Sequence, residues 1–371
     1  MNNNIEKENK IKIVLITSII TLIVGIFGSY IFFKYNPKIF GNNDSKNNTT
    51  KVVKDVTVTD TGISEAVDKV YNSVVVVGTY KGEEMNASGS GFVYKKSNNK
   101  MYILTNNHVI ESGDNYKVTY TDDQVATAKL VGKDEYLDVA VLEVDNKDNI
   151  DAVEIGESSE LKPGDTVFAV GTPLDATYSW TVTRGIISGK ERLVEVSLSN
   201  SNSSDYIMNV IQTDAAVNSG NSGGPLSNSN GAVIGIISAK ISSSGVEGMG
   251  FAIPIELAIE KAEKITSGDN TEYPYLGVSM VNAKDANYYK KYSNNLTTNL
   301  TSGVMIVDIE NDSLAEKAGL KSGDVITKIN DEEVSNIAYF RYELYKNKIG
   351  DKITITYNRD GKEKTIEVEL K

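Results

Sequence analysis

Gly220-Asn221-Ser222-Gly223-Gly224-Pro225 is the stretch that decides how this chain of 371 residues is read. A serine hydroxyl is a poor nucleophile until a neighbouring base takes its proton. Glycines on either side let the backbone come close and turn its N–H groups toward a common point. The whole chain holds one imidazole, His108, in Tyr102-Ile103-Leu104-Thr105-Asn106-Asn107-His108-Val109, at the end of an apolar run. A third segment, Tyr136-Leu137-Asp138-Val139-Ala140-Val141-Leu142, carries an acid among apolar residues. Read as a strand, it alternates Asp138 with Leu137, Val139 and Val141. An unpaired buried carboxylate is costly, so Asp138 should have a partner. The reading pairs it with His108 Nδ1, which fixes the imidazole's tautomer. The competing acid is Asp134, in the polar turn Gly132-Lys133-Asp134-Glu135.

Composition removes several classes of function. Fifty acidic against 38 basic residues give a net charge of −12, unsuited to a general nucleic-acid binder. Cysteine is absent, so no disulfide, thiolate metal site or cysteine nucleophile exists. One histidine rules out a histidine-rich zinc site, and neither a metal nor a cofactor is expected.

The chain divides by composition. Residues 1–12 are polar and lysine-bearing; residues 13–33 are uncharged and mostly apolar. As a helix that run would be about 31 Å long, enough for a hydrocarbon core of about 30 Å. It is longer than a signal-peptide core and ends in bulky Tyr30-Ile31-Phe32-Phe33, which favours an uncleaved transmembrane anchor. Lysines before it place residues 1–12 in the cytoplasm. Residues 34–62 form a polar linker. Ile63, Ala66, Val67 and Val70 share one side of a short helix over 63–71. From 72 to about 253, short β-branched runs separated by turn residues indicate an all-β unit of about two small barrels. Residues 254–267 read as a helix closing a domain over 63–266. After a polar hinge, residues 272–371 read as a small α+β domain.

The order His, Asp, Ser along the chain is that of the chymotrypsin-type serine proteases. The chain is similar to the HtrA/Deg family of membrane-associated serine proteases with C-terminal PDZ domains. The matching stretches are Thr105-Asn106-Asn107-His108-Val109, Asp138-Val139-Ala140-Val141, Gly171-Thr172-Pro173-Leu174, residues 181–188, residues 212–226 and Gly250-Phe251-Ala252-Ile253-Pro254. The resemblance implies a mostly β fold: a chymotrypsin-like double β-barrel protease domain plus a PDZ domain behind the anchor. It implies a catalytic triad of His108, Asp138 and Ser222, with an oxyanion hole from the N–H groups of Gly220, Asn221 and Ser222. Digestive relatives have an aspartate just before the nucleophile; neutral Asn221 argues against activation by that ion pair.

The family's specificity pocket falls on Val217, Ser238 and Ala239, a small apolar lining suited to Val, Ala or Ile at P1. Tyr275-Leu276-Gly277-Val278 resembles a PDZ carboxylate-binding loop, with Phe340 and Leu344 as groove-lining residues on a helix over 337–347. Residues 193–206 and 241–248 read as loops able to switch. The implied partners are unfolded polypeptides and exposed protein C-termini, in protein quality control and stress response on the extracytoplasmic side of the cell membrane. Trimers are common among such relatives, so a homotrimer is the implied assembly. A proteolytically silent chaperone or PDZ adaptor, or a processing protease with one dedicated substrate, stand as the alternatives.

Overall fold

The computed structural model describes residues 17–26, 60–172, 179–197, 205–241, 248–269, 272–290 and 296–371. Residues 1–58 and 59–371 are separate compact units. In the first, residues 17–26 are helical and expose Ile19, Ile20, Leu22, Ile23, Val24 and Ile26. The rest of the expected 13–33 helix lies outside the described residues. Among the described residues no helix is long and apolar enough to cross a membrane.

The second unit opens with α1 (Asp60–Tyr71), which buries Ala66 and Val70 as the periodicity predicts. Two closed six-stranded barrels follow. The first is built from β1 (Val74–Lys81), β2 (Glu84–Ser97), β3 (Lys100–Thr105), β4 (Asn115–Thr119), β5 (Val125–Asp134) and β6 (Val139–Asp145). The second uses β7 (Thr166–Gly171), β8 (Thr181–Val196), β9 (Tyr206–Thr213), β10 (Pro225–Asn228), β11 (Val233–Ile237) and β12 (Gly250–Pro254). A four-residue helix, α2 (Asn107–Ile110), interrupts the first barrel, and α3 (Ile255–Ser267) closes the domain.

Many of these strands look continuously apolar because both their faces are buried. Side chains alternate across a strand with a period of two. On β6, Ala140, Leu142 and Val144 fill the first barrel, while Val139 and Val141 face a separate core. On β7, Val167 and Ala169 fill the second barrel, and Phe168 and Val170 join Val139 and Val141. That shared cluster is the seam between the barrels, and α1 and α3 add Ala66, Val70, Ile255, Ala258 and Ala262 to it. The site described below is carried by chain segments entering and leaving these seam strands.

The C-terminal part is a six-stranded sheet in the order β13 (Val278–Asn282), β14 (Val304–Ile309), β15 (Val325–Ile329), β17 (Lys352–Arg359), β18 (Lys362–Glu369), with β16 (Glu332–Glu333) paired to β15. Helices α4 (Leu314–Lys317) and α5 (Ile337–Tyr345) complete the α+β unit. Ser313 caps α4 by accepting from the Glu316 N–H, and Asn336 caps α5 by accepting from the Tyr339 N–H. Buried Asp324 receives a forked pair of hydrogen bonds from Arg359, which also reaches the Gly319 carbonyl.

Two sequence expectations change here. Residues 193–196 belong to β8, where Val196 pairs with Tyr206, so the expected 193–206 loop is shorter at both ends. Residues 198–204 and 242–247 lie outside the described residues. Phe340 and Leu344 are buried with Leu276 and Ile306 in the core of the C-terminal sheet, rather than lining an open groove. They sit on the inward face of α5, where burial of large apolar side chains prevails.

Candidate active site

His108 stands in α2, directly after β3, with its side chain 19% exposed. Asp138 is not part of strand β6, contrary to the expected alternation; it ends the turn that precedes Val139. Its φ of +56° is left-handed, a conformation that Asp and Asn tolerate better than most residues. That turn aims the carboxylate at α2. Asp138 Oδ2 lies 2.8 Å and Oδ1 3.0 Å from His108 Nδ1, and Oδ1 also accepts the His108 backbone N–H at 3.0 Å. Ser238 donates to Oδ2 at 3.0 Å. With three donors on it, this buried carboxylate meets its desolvation cost locally. A carboxylate can only accept, so Nδ1 carries the hydrogen and Nε2 is left as the acceptor.

Asn106 explains why the residue before the helix is polar and fully buried. Its side-chain amide donates to the Asp138 carbonyl at 2.8 Å, tying the turn to α2. Thr105 donates to the Ser90 carbonyl at 2.7 Å.

Ser222 is buried just before β10. Its Oγ accepts from the Ala239 N–H at 3.0 Å, which leaves the hydroxyl hydrogen uncommitted. No hydrogen bond joins Ser222 to His108 among the described residues. The two segments nevertheless meet across Gly89: a Cβ there would lie 2.7 Å from Val109 and 3.1 Å from the Ser222 carbonyl oxygen. Only glycine allows that approach.

The expected three N–H donors are reduced to two. Asn221 N–H donates to the Asn218 carbonyl at 3.0 Å, closing a tight turn. Among the described residues, the N–H groups of Gly220 and Ser222 have no partner. Gly220 has φ +99°, a conformation that side chains rarely adopt and that sets the direction of its peptide planes. Asn221 itself is buried and donates from Nδ2 to the Ala216 carbonyl at 3.3 Å. A charged aspartate there could not make that bond.

Ser238 also departs from expectation. Fully buried, it turns its hydroxyl to Asp138, so its side chain serves that carboxylate and not a pocket wall. Val217 is half-buried beside Gly250, and Ala239 opens a single 3₁₀ turn, Ala239–Ile241. Asp134 is likewise not a solvated turn residue. It is buried at the end of β5, where it accepts from the Leu137 N–H, from Lys261 at 2.7 Å and from the Tyr273 hydroxyl at 2.7 Å. Burial and this acceptor hold the Tyr273 hydroxyl protonated far above the ordinary tyrosine range. Tyr136, in the turn leading to Asp138, packs its ring edge-on against Tyr273 and Tyr345 at centroid distances of 5.0 Å each. Helix α5 and the segment leading into the C-terminal domain therefore touch the turn that positions Asp138.

Just before the C-terminal sheet, Tyr275 is exposed and Leu276 buried. The Leu276 carbonyl accepts from the Ala315 N–H, and the Gly277 carbonyl from the Glu310 N–H. Among the described residues, the N–H groups of Tyr275, Leu276 and Gly277 donate to nothing. Val278 begins β13, the edge strand of the sheet, and Asn282 at its end accepts from the Ile337 N–H of α5.

Residues 89–236 match the trypsin-like peptidase domain family, and residues 274–370 match the PDZ domain family. Serine protease Do-like HtrB of Bacillus subtilis is 41% identical over 326 residues, covering 87% of this chain and 70% of that protein. The chain belongs to the HtrA family of serine proteases. Serine protease Do-like HtrA of Lactococcus lactis subsp. cremoris is 35% identical over 385 residues, 96% of this chain and 94% of that one. The solved HtrA-type protease AlgW with decapeptide superposes with a TM-score of 0.61 at 30% identity, over 83% of this chain and 98% of that one. This HtrA protein is thus a serine endopeptidase with a C-terminal PDZ domain. Its peptidase match spans His108, Asp138 and Ser222.

Of the residues that build the HtrA site, the sequence reading gave Ser238 a pocket role in place of its bond to Asp138, and missed Ser90 altogether. Ser238 closes the apolar run Val233-Ile234-Gly235-Ile236-Ile237, and a lone hydroxyl ending a buried strand is a signal that it has a buried partner. Ser90 lies between Gly89 and Gly91, a spacing that signals close backbone approach.

Proposed function

We propose that this protease hydrolyses peptide bonds of unfolded extracytoplasmic polypeptides through an acyl-enzyme on Ser222. The observation that carries this reading is the His108–Asp138 pair, which leaves Nε2 as a base, together with a nucleophile loop whose Gly220 and Ser222 N–H groups have no partner among the described residues. His108 Nε2 takes the Ser222 proton as Oγ attacks the substrate carbonyl, then returns it to the leaving amine. Asp138 stabilises the imidazolium formed in between. Gly220 and Ser222 N–H groups hold the tetrahedral oxyanion. Asn221 takes no part in that hole. Water then hydrolyses the acyl-enzyme by the same exchange in reverse.

The pocket beside Val217 and Ala239 takes small or medium apolar P1 side chains. The loop Tyr275-Leu276-Gly277-Val278 receives a terminal carboxylate on its free N–H groups, and the ligand adds as a strand to β13. The solved AlgW structure with a decapeptide supports peptide recognition as the shared theme. Residues 13–33 anchor the chain in the cell membrane, with the folded unit outside and trimers as the working assembly.

Full-length protein in detergent tests the reading with casein and a fluorogenic peptide series. Val, Ala or Ile at P1 is expected to exceed Arg or Lys about tenfold or more in kcat/KM, as a pocket without a fixed carboxylate cannot hold a cation. A preference for Arg would overturn the pocket assignment. In cells the chain should stay with membranes through an alkaline carbonate wash; recovery in the wash overturns the anchor.

A further inference from the structure

All three polar groups of Ser90 are committed, through four hydrogen bonds, to the segments that build the site. Its N–H donates to the Ser222 carbonyl at 2.8 Å, and its carbonyl accepts from the Thr105 hydroxyl at 2.7 Å. Its Oγ donates to the Gly220 carbonyl at 2.8 Å and accepts from the Thr172 N–H at 3.0 Å. Ser90 is fully buried, and a Cβ on Gly223 would lie only 2.1 Å from its carbonyl oxygen.

We propose that the Ser90 hydroxyl is a positioning residue for the oxyanion hole, setting where the Gly220 N–H points. The inference rests on the proposed role of Gly220 and Ser222. The peptide plane between Gly220 and Asn221 is gripped at both ends: Ser90 Oγ holds its carbonyl, and the Asn218 carbonyl holds its N–H. Only rotation about the φ and ψ bonds of Gly220 separates that plane from the Gly220 N–H. Glycine has no side chain to resist the rotation, so hydrogen bonds must supply the restraint. The grip comes from the first barrel, through β2, whereas Gly220 precedes the second barrel's β10. The hydroxyl thereby makes the hole a shared product of both barrels. It touches no substrate atom and acts only through Gly220 and Thr172. Removing it strands the half-buried Gly220 carbonyl and the buried Thr172 N–H, both of which can regain a partner if the loop turns over.

The test compares wild type, Ser90→Ala and Ser90→Cys in full-length protein, with active sites counted by end-point fluorophosphonate titration. Three quantities are read: kcat and KM on one peptide, Ki for a peptide aldehyde that forms a tetrahedral adduct, and the pH profile of kcat/KM. Expected for Ser90→Ala is a fall in kcat of about 30-fold, below the hundredfold or more for outright loss of an oxyanion donor. The aldehyde Ki should rise by the same factor, with KM and the profile's acid limb unchanged. Ser90→Cys, a weak donor of similar shape, should fall between. Unchanged kcat and Ki per titrated site would overturn the proposal, even if Tm drops, as would equal losses in both variants. Should Ser90→Ala not fold, the cysteine variant alone decides, by whether kcat and Ki move together. If wild type takes no label at Ser222, the catalytic reading itself fails, a result distinct from these.

Discussion

Ser222→Ala is expected to lower kcat for peptide hydrolysis by about a million-fold while leaving the fold intact. Nucleophile and base act as one unit, so removing the hydroxyl removes nearly everything the pair contributes. The side chain makes a single hydrogen bond among the described residues, accepting from Ala239. Losing that bond costs about 1 kcal/mol, too little to unfold the double barrel. Steady-state hydrolysis of a fluorogenic peptide, with thermal melting of the same preparation, checks both halves. A variant that keeps even a few per cent of wild-type turnover would mean that another group attacks the substrate. The same measurement separates the protease from a silent chaperone or adaptor, for which wild type and variant would be equal.

Asp138→Asn is expected to cost about ten-thousand-fold in kcat, although only an oxygen is exchanged for an amino group. The carboxylate accepts from three donors: His108 N–H, His108 Nδ1–H and the Ser238 hydroxyl. An amide has one acceptor oxygen, so its NH2 must face one of them. The cheapest escape is for the imidazole to move its hydrogen to Nε2, where it can no longer accept the Ser222 proton. Raising the pH should not restore the activity, because the defect is tautomer and not charge. Stability should change far less than rate. A loss of only tenfold would show that Asp138 merely holds α2 in place.

Much of this architecture is legible in the chain because its signals are local. The run Gly220-Asn221-Ser222-Gly223-Gly224-Pro225 announces a loop whose backbone must come close to its neighbours, and Gly89 and Ser90 turn out to be those neighbours. The apolar strands are visible, but their runs cannot say which face fills a barrel and which fills the seam. Asp138 illustrates the limit: its apolar flanks suggest a strand interior, yet Asn106 pins it in a left-handed turn from 32 positions away in the chain. Asp134 misleads in the opposite sense. Its polar neighbours suggest solvent, whereas Lys261 and Tyr273, distant in sequence, bury it. Phe340 and Leu344 show that an apolar face on a helix does not say whether a groove or a core covers it. Ser238 and Ser90 are single hydroxyls whose importance lies wholly in partners brought together by folding.

The most direct measurement is labelling of the full-length protein with a fluorophosphonate, followed by peptide mapping by mass spectrometry. Phosphonylation is expected at Ser222 alone, nearly abolished in His108→Ala, because the sole imidazole supplies the base. A label on any other serine, or undiminished labelling of Ser222 without His108, would contradict this expectation.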